Sequence, residues 1–110
     1  MADPAAHARN QLRAISPKLI DYSTNVLYGE VWEDPALSKR DRSLATVAAL
    51  IGACQPQFLK VHMGRALGNG VTKEELGALI THLAFYVGWP AANAAGVIAL
   101  EVLEESKSAE

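Results

Sequence analysis

Glu30 and His62 are the residues whose types and places invite a chemical reading, because each falls within an apolar stripe that its own segment would bury. Stepped at about 100° per residue, Phe58, Leu59, His62, Met63, Ala66 and Leu67 share one helical face with the imidazole in its middle. Upstream, Leu19, Ile20, Val26, Leu27 and Val31 cluster in the same way, with Glu30 among them. Burying an ionised carboxylate costs several kcal/mol unless it is paired. A carboxylate beside an imidazole in an apolar cleft would hold the ring's tautomer, favour its charged form and give a usable acid or base near neutral pH. Each residue also has a plainer reading. His62 would be a satisfied core histidine, and Glu30 would be exposed beyond a helix that stops at Gly29, a poor helix former.

Other reactive side chains are spread along the chain. His82 and Tyr86 lie one turn apart on the flank of the Leu76, Leu79, Ile80, Leu83 stripe, where they line either a cleft or a subunit interface. Arg40 and Arg42 open a helix that starts near Ser38 and Asp41 and runs to about Cys54. A guanidinium there could grip a substrate carboxylate through paired hydrogen bonds, or simply pair with surface acids. Cys54 is the chain's single cysteine and has no internal disulfide partner, so it is either a buried small hydrophobe or a reactive thiol.

The elements that must position these groups are marked by breakers: Ser16-Pro17, Asp34-Pro35, Gln55-Pro56, Gly68-Asn69-Gly70 and Gly88-Trp89-Pro90. Segments of helix length lie between them, and none alternates polar and apolar residues over a strand's span. The pattern predicts an all-α chain of five or six helices. Its sharpest boundary is the glycine stop before Val71-Thr72-Lys73-Glu74-Glu75-Leu76, where Thr72 and Glu75 form a capping box and Val71 and Leu76 a hydrophobic staple. The run Leu44 to Ile51 is apolar nearly all round and predicts the central helix, while the small residues Ala91, Ala92, Ala94, Ala95, Gly96 and Ala99 let another helix approach the last one closely. So many apolar faces in a short chain predict a homo-oligomer whose central and C-terminal helices pack against partner subunits.

With 110 residues, 50% hydrophobic and 20% charged, the chain is expected to form one core-building domain over residues 1–110. Ten basic residues scattered among twelve acids offer no phosphate-binding face, so nucleic acid is not an expected partner. The start has neither the basic nor the apolar region of an export signal, and the stretch from Leu83 to Leu100 is interrupted by Gly88, Pro90 and Asn93. A cytoplasmic protein with no membrane span is expected. There is no phosphate-cradling glycine loop, nucleophile elbow or HExxH, and His7, His62 and His82 lack short metal-ligand spacing, so neither a cofactor nor a metal is predicted.

Four stretches together carry a resemblance: Tyr28-Gly29-Glu30-Val31-Trp32; Leu37 to Leu44; His62 to Glu75; and Thr81 to Ala92. Over about residues 19–103 the chain resembles the carboxymuconolactone decarboxylase family. The resemblance implies an alkylhydroperoxidase-D-like all-α fold, assembly as trimers or hexamers, and active sites near subunit contacts. The family's peroxidase branch carries a Cys-x-x-Cys pair whose second member precedes the helix histidine by four residues; here those positions are Gln55 and Phe58. Without the dithiol, disulfide cycling has no mechanism, and Cys54 would give at most one-cysteine chemistry with His62.

The decarboxylase branch uses no cofactor and acts on a small carboxylic acid. That reaction needs a cation to hold the substrate's acid groups, an apolar wall and an acid to protonate carbon; the expectation is Arg42 as the cation, His62 as the proton donor, and Glu30 as the group that orients and charges His62. Around His82 the chain reads His-Leu-Ala-Phe-Tyr-Val-Gly-Trp-Pro where lactone decarboxylases more often read Gln-Ala-Ala-Ile-Tyr-Cys-Gly-Val-Pro, which resembles the uncharacterised branch. His82, Tyr86 and Trp89 are accordingly candidates for substrate binding or a second acid or base. The expected function is a cofactor-free lactone-acid decarboxylase; a thiol peroxidase using Cys54 and His62, or a non-catalytic oligomeric small-molecule binder, are the alternatives.

Overall fold

Ser16-Pro17, Gln55-Pro56, Gly68-Asn69-Gly70 and Gly88-Trp89-Pro90 fall at helix ends, while Asp34-Pro35 lies in the loop before the third α-helix. In the computed structural model, which describes residues 4–108, the order is α1 (Pro4–Leu12), α2 (Pro17–Tyr22), a π-helical segment (Ser23–Val31), α3 (Lys39–Gly52), α4 (Pro56–Gly68), α5 (Lys73–Val87) and α6 (Trp89–Ser108). Among the described residues the chain is all-α, with no strand. Pro17 and Pro56 sit in the first turns of α2 and α4, where the N–H that proline lacks would have no intrahelical partner.

The chain divides into two units, residues 1–39 and 40–110. In the first, Ile20 is the one buried large hydrophobic among the described residues. The α2 helix passes directly into the π-helical segment, whose wider turn shows in the Trp32 N–H donating to the Leu27 carbonyl five residues back, at 2.9 Å. Gly29 belongs to this geometry, since a Cβ there would come within 3.1 Å of the Thr24 carbonyl oxygen. The helix therefore does not stop at Gly29; it widens around it. Arg13 pairs with Asp21 at 3.0 Å, and Asp34 accepts the Ala36 N–H at 2.9 Å to form the turn at Pro35.

In the second unit the core is built from Val47 and Ile51 of α3, Leu59, Met63 and Ala66 of α4, Val71, Leu76 of α5, and Ala95, Ala99 and Val102 of α6. The helix that packs against both α4 and α5 is α6, so α6 rather than α3 holds the centre. The reason is the spacing of its small residues: Ala92, Ala95, Ala99 and Val102 recur every three or four positions and form one buried line. That small-residue face, expected to meet a partner subunit, is filled by α4 and α5 of the same chain. On α3 only Ser43, Val47 and Ile51 are buried, although its apolar residues run nearly all round.

The α4–α5 junction follows its sequence signals closely. The Val71 N–H reaches back to the Ala66 carbonyl at 2.9 Å and the Gly70 N–H to Leu67 at 3.2 Å, a Schellman stop with Gly70 at φ +100°. Thr72 Oγ1 then accepts the Glu75 N–H at 3.1 Å, and Glu75 Oε1 accepts the Thr72 N–H at 2.9 Å. Val71 and Leu76 are buried beside this box, as a staple requires.

Candidate functional site

The fourth helix presents His62 beside its buried line, not on it. Leu59, Met63 and Ala66 are buried, Leu67 and His62 are half-buried, and Phe58 stays 50% exposed. The stripe read from sequence is thus narrower than expected, because α6 covers only the arc centred on Met63. His62 lies at the edge of that arc, and its Nδ1 atom is enclosed by protein. An imidazole so placed has one nitrogen enclosed while the residue is only half-buried, an arrangement compatible with moving a proton.

Two arginines open α3, and they point to different tasks because residues two apart on a helix face nearly opposite ways. Arg40 makes an ion pair with Glu75 Oε2 across to the start of α5 and a weaker one with Asp41 at 3.4 Å. Arg42 is half-buried, and its backbone carbonyl accepts the Thr46 hydroxyl at 2.8 Å. Behind them Ser43 is fully buried and accepts a hydrogen bond from Asn69 Nδ2 at 3.0 Å.

Glu30 is exposed on the π-helical segment, as its plainer reading had it and not within a buried stripe, although the helix runs on past Gly29. Leu19, Val26, Leu27 and Val31, the apolar residues grouped with it, are themselves 41–56% exposed. The π-helical turn breaks the 100° wheel used to group them, and the first unit has no deep core of its own to receive them. Glu30 and His62 belong to different units.

The cysteine expected to be buried or reactive is exposed, in the turn after α3 and at a left-handed φ of 55°. His82 and Tyr86, expected to line a cleft or a subunit interface, are both exposed on the chain, their rings tilted against each other at 4.9 Å. Phe85 and Trp89 make a second, edge-on pair at 5.2 Å around the α5–α6 junction. Among the described residues no group of three His, Cys, Asp or Glu side chains could hold a metal ion, and no helix is long and apolar enough to cross a membrane. Sequence reasoning did not find the links from Asn69 and Glu75 to α3. A capping-box glutamate uses one oxygen for its cap and leaves the other for a cation, which is the signal that was available.

The carboxymuconolactone decarboxylase family model matches residues 17–101, and the chain belongs to that family. It is 40% identical over 85 residues to a 4-carboxymuconolactone decarboxylase of Acinetobacter baylyi, covering 77% of this chain and 63% of that protein. It is 32% identical over 82 residues to a nitrosuccinic acid decarboxylase of Metarhizium robertsii, covering 74% of this chain and 57% of that protein. The chain thus spans about three-fifths of the length of these curated relatives.

Proposed function

We propose that this chain is a cofactor-free decarboxylase of a small carboxylic acid whose carboxylate-bearing carbon is conjugated to an electron-withdrawing group. The observation that carries the reading is His62, half-buried with its Nδ1 enclosed, in a chain similar to two proteins that are both named as decarboxylases. Their named acids share one electronic feature. A lactone or a nitro group can accept the electron pair released when the carbon–carbon bond to the carboxylate breaks. Carbon dioxide leaves, the pair is held as a dienolate or nitronate, and a proton must then be delivered to carbon.

In this reading the His62 imidazolium donates that proton and regains one from water, and Arg42 holds a carboxylate that stays on the substrate. His82, Tyr86 and Trp89 are candidate substrate contacts. Phe85, Tyr86, Trp89, Val97 and Leu100 are each more than half exposed, which supports assembly as a trimer or hexamer that covers them. Light scattering that gave a monomer at micromolar concentration would remove the assembly.

The test is carbon dioxide release from 4-carboxymuconolactone and from nitrosuccinic acid. His62→Ala should lower kcat about 10²- to 10⁴-fold, the usual contribution of a positioned acid. Arg42→Ala should raise KM. Release from neither acid, or unchanged turnover in both His62→Ala and Arg42→Ala, overturns the proposal. The exposed thiol favours a second reading, peroxide reduction through Cys54. Alkylating Cys54 should leave decarboxylation intact, and would abolish activity only if that second reading holds.

A further inference from the structure

Glu75 occupies a place where one carboxylate does two jobs on two helices. Its Oε1 closes the capping box of α5 by accepting the Thr72 N–H at 2.9 Å, and its Oε2 takes the guanidinium of Arg40 on α3. One turn along α3 from Arg40, buried Ser43 accepts the Asn69 side-chain N–H at 3.0 Å. Both ties leave the same face of the first turns of α3, and both end on the α4–α5 junction, whose backbone is held by the Schellman stop and the capping box. Between Arg40 and Ser43 lies Arg42.

We propose that Glu75 is a positioning residue for Arg42: through Arg40, and together with the Asn69–Ser43 bond, it fixes the roll of the first turn of α3 and so the direction in which the Arg42 guanidinium is presented. The proposal rests on the reading of Arg42 as the substrate-holding cation. The Arg40 and Glu75 side chains are 36% and 40% exposed, so water screens the pair and it adds little to stability. Its effect is directional instead. Arg40 and Arg42 face nearly opposite ways, so anchoring one commits the other to the far side of the helix.

The experiment uses Glu75→Gln, because glutamine at this position of a capping box still accepts the cap hydrogen bond while losing the charge that holds Arg40. Arg40→Gln breaks the same tie from the other side without touching the cap, and Arg40→Lys restores a cation. Hydrogen exchange should speed up at the amides of residues 42–45 in Glu75→Gln and Arg40→Gln, while the first turn of α5 stays protected. Because a cation that holds a spectator carboxylate binds ground and transition states alike, KM for the acid that the wild type decarboxylates should rise about fivefold with kcat nearly unchanged. Arg40→Lys should recover most of that loss. A merely structural loss would instead lower the amount of active protein at constant KM. Unchanged exchange at residues 42–45, or faster exchange with unchanged KM, overturns the proposal. If the wild type releases carbon dioxide from neither acid, the decarboxylase reading has failed separately, and hydrogen exchange alone decides whether Glu75 sets this turn.

Discussion

Replacing Met63 with alanine tests the packing that sets His62 at the edge of the core. Met63 is fully buried, at 0% exposure, within the cluster that joins α4 to α6. Loss of its side chain removes apolar burial and leaves a void that the small residues Ala66, Ala95 and Ala99 cannot close, since none has atoms to spare. Buried methionine-to-alanine changes cost about 2–5 kcal/mol. For a chain of 110 residues the unfolding entropy is about 0.23 kcal/mol per degree, so a loss of about 3 kcal/mol lowers Tm by roughly 13 °C. Met63→Leu keeps the volume and should cost less than about 1.5 kcal/mol.

The control is Phe58 on the same helix, larger in area but 50% exposed. With about half its surface already in water, Phe58→Ala should cost about 1 kcal/mol or less. Calorimetry or urea unfolding at several protein concentrations checks both, because a partner subunit covering Phe58 would make its loss grow with concentration. A Tm drop below about 4 °C for Met63→Ala, or equal losses at the two positions in dilute protein, would refute this account of the core and with it the placement of His62.

Two further outcomes follow from local geometry. Gly70→Ala meets no atom within 4 Å, so its cost is that of placing a Cβ residue at φ +100°, about 1–2 kcal/mol; urea unfolding that showed no loss would mean the turn is not held in that conformation. Lys60 of α4 lies 2.7 Å from Glu105 and 3.7 Å from Glu101 of α6, and its pKa is raised above 10.5, first by the hydrogen bond to Glu105, which outweighs the opposing desolvation, with the charges of Glu105 and Glu101 adding smaller increases. A folded-state pKa above the unfolded one gives stability that is fully present below 10.5 and is lost as pH rises through the folded value. The Tm difference between wild type and Lys60→Gln should therefore be constant from neutral pH upward, then vanish in the alkaline range, and shrink in salt. A difference that persists at high pH would show that the lysine acts by packing its stem.

Short-range chemistry is what the sequence by itself determined. Breakers marked the ends of the helices because proline and glycine act through their own φ and N–H, and Thr72 with Glu75 capped α5 because both hydrogen bonds span three residues. The absence of cysteine at positions 55 and 58 was equally legible, as were the stretches that resemble the family. Decisions that depend on which surface meets which were not. Apolar periodicity could not tell that the small-residue line of α6 would be covered within the chain while α3 kept only one buried face. It also could not show that Cys54 would be exposed. A fixed 100° wheel misplaced Glu30 because the backbone leaves α-helical geometry there, and a wheel cannot sense a change of period. Finally, Arg40 and Arg42 look alike in sequence. Only the approach of the α5 N-terminus to α3 hands Arg40 to Glu75 and gives the two arginines different surroundings, because an ion pair between residues 35 apart exists only once the helices have packed.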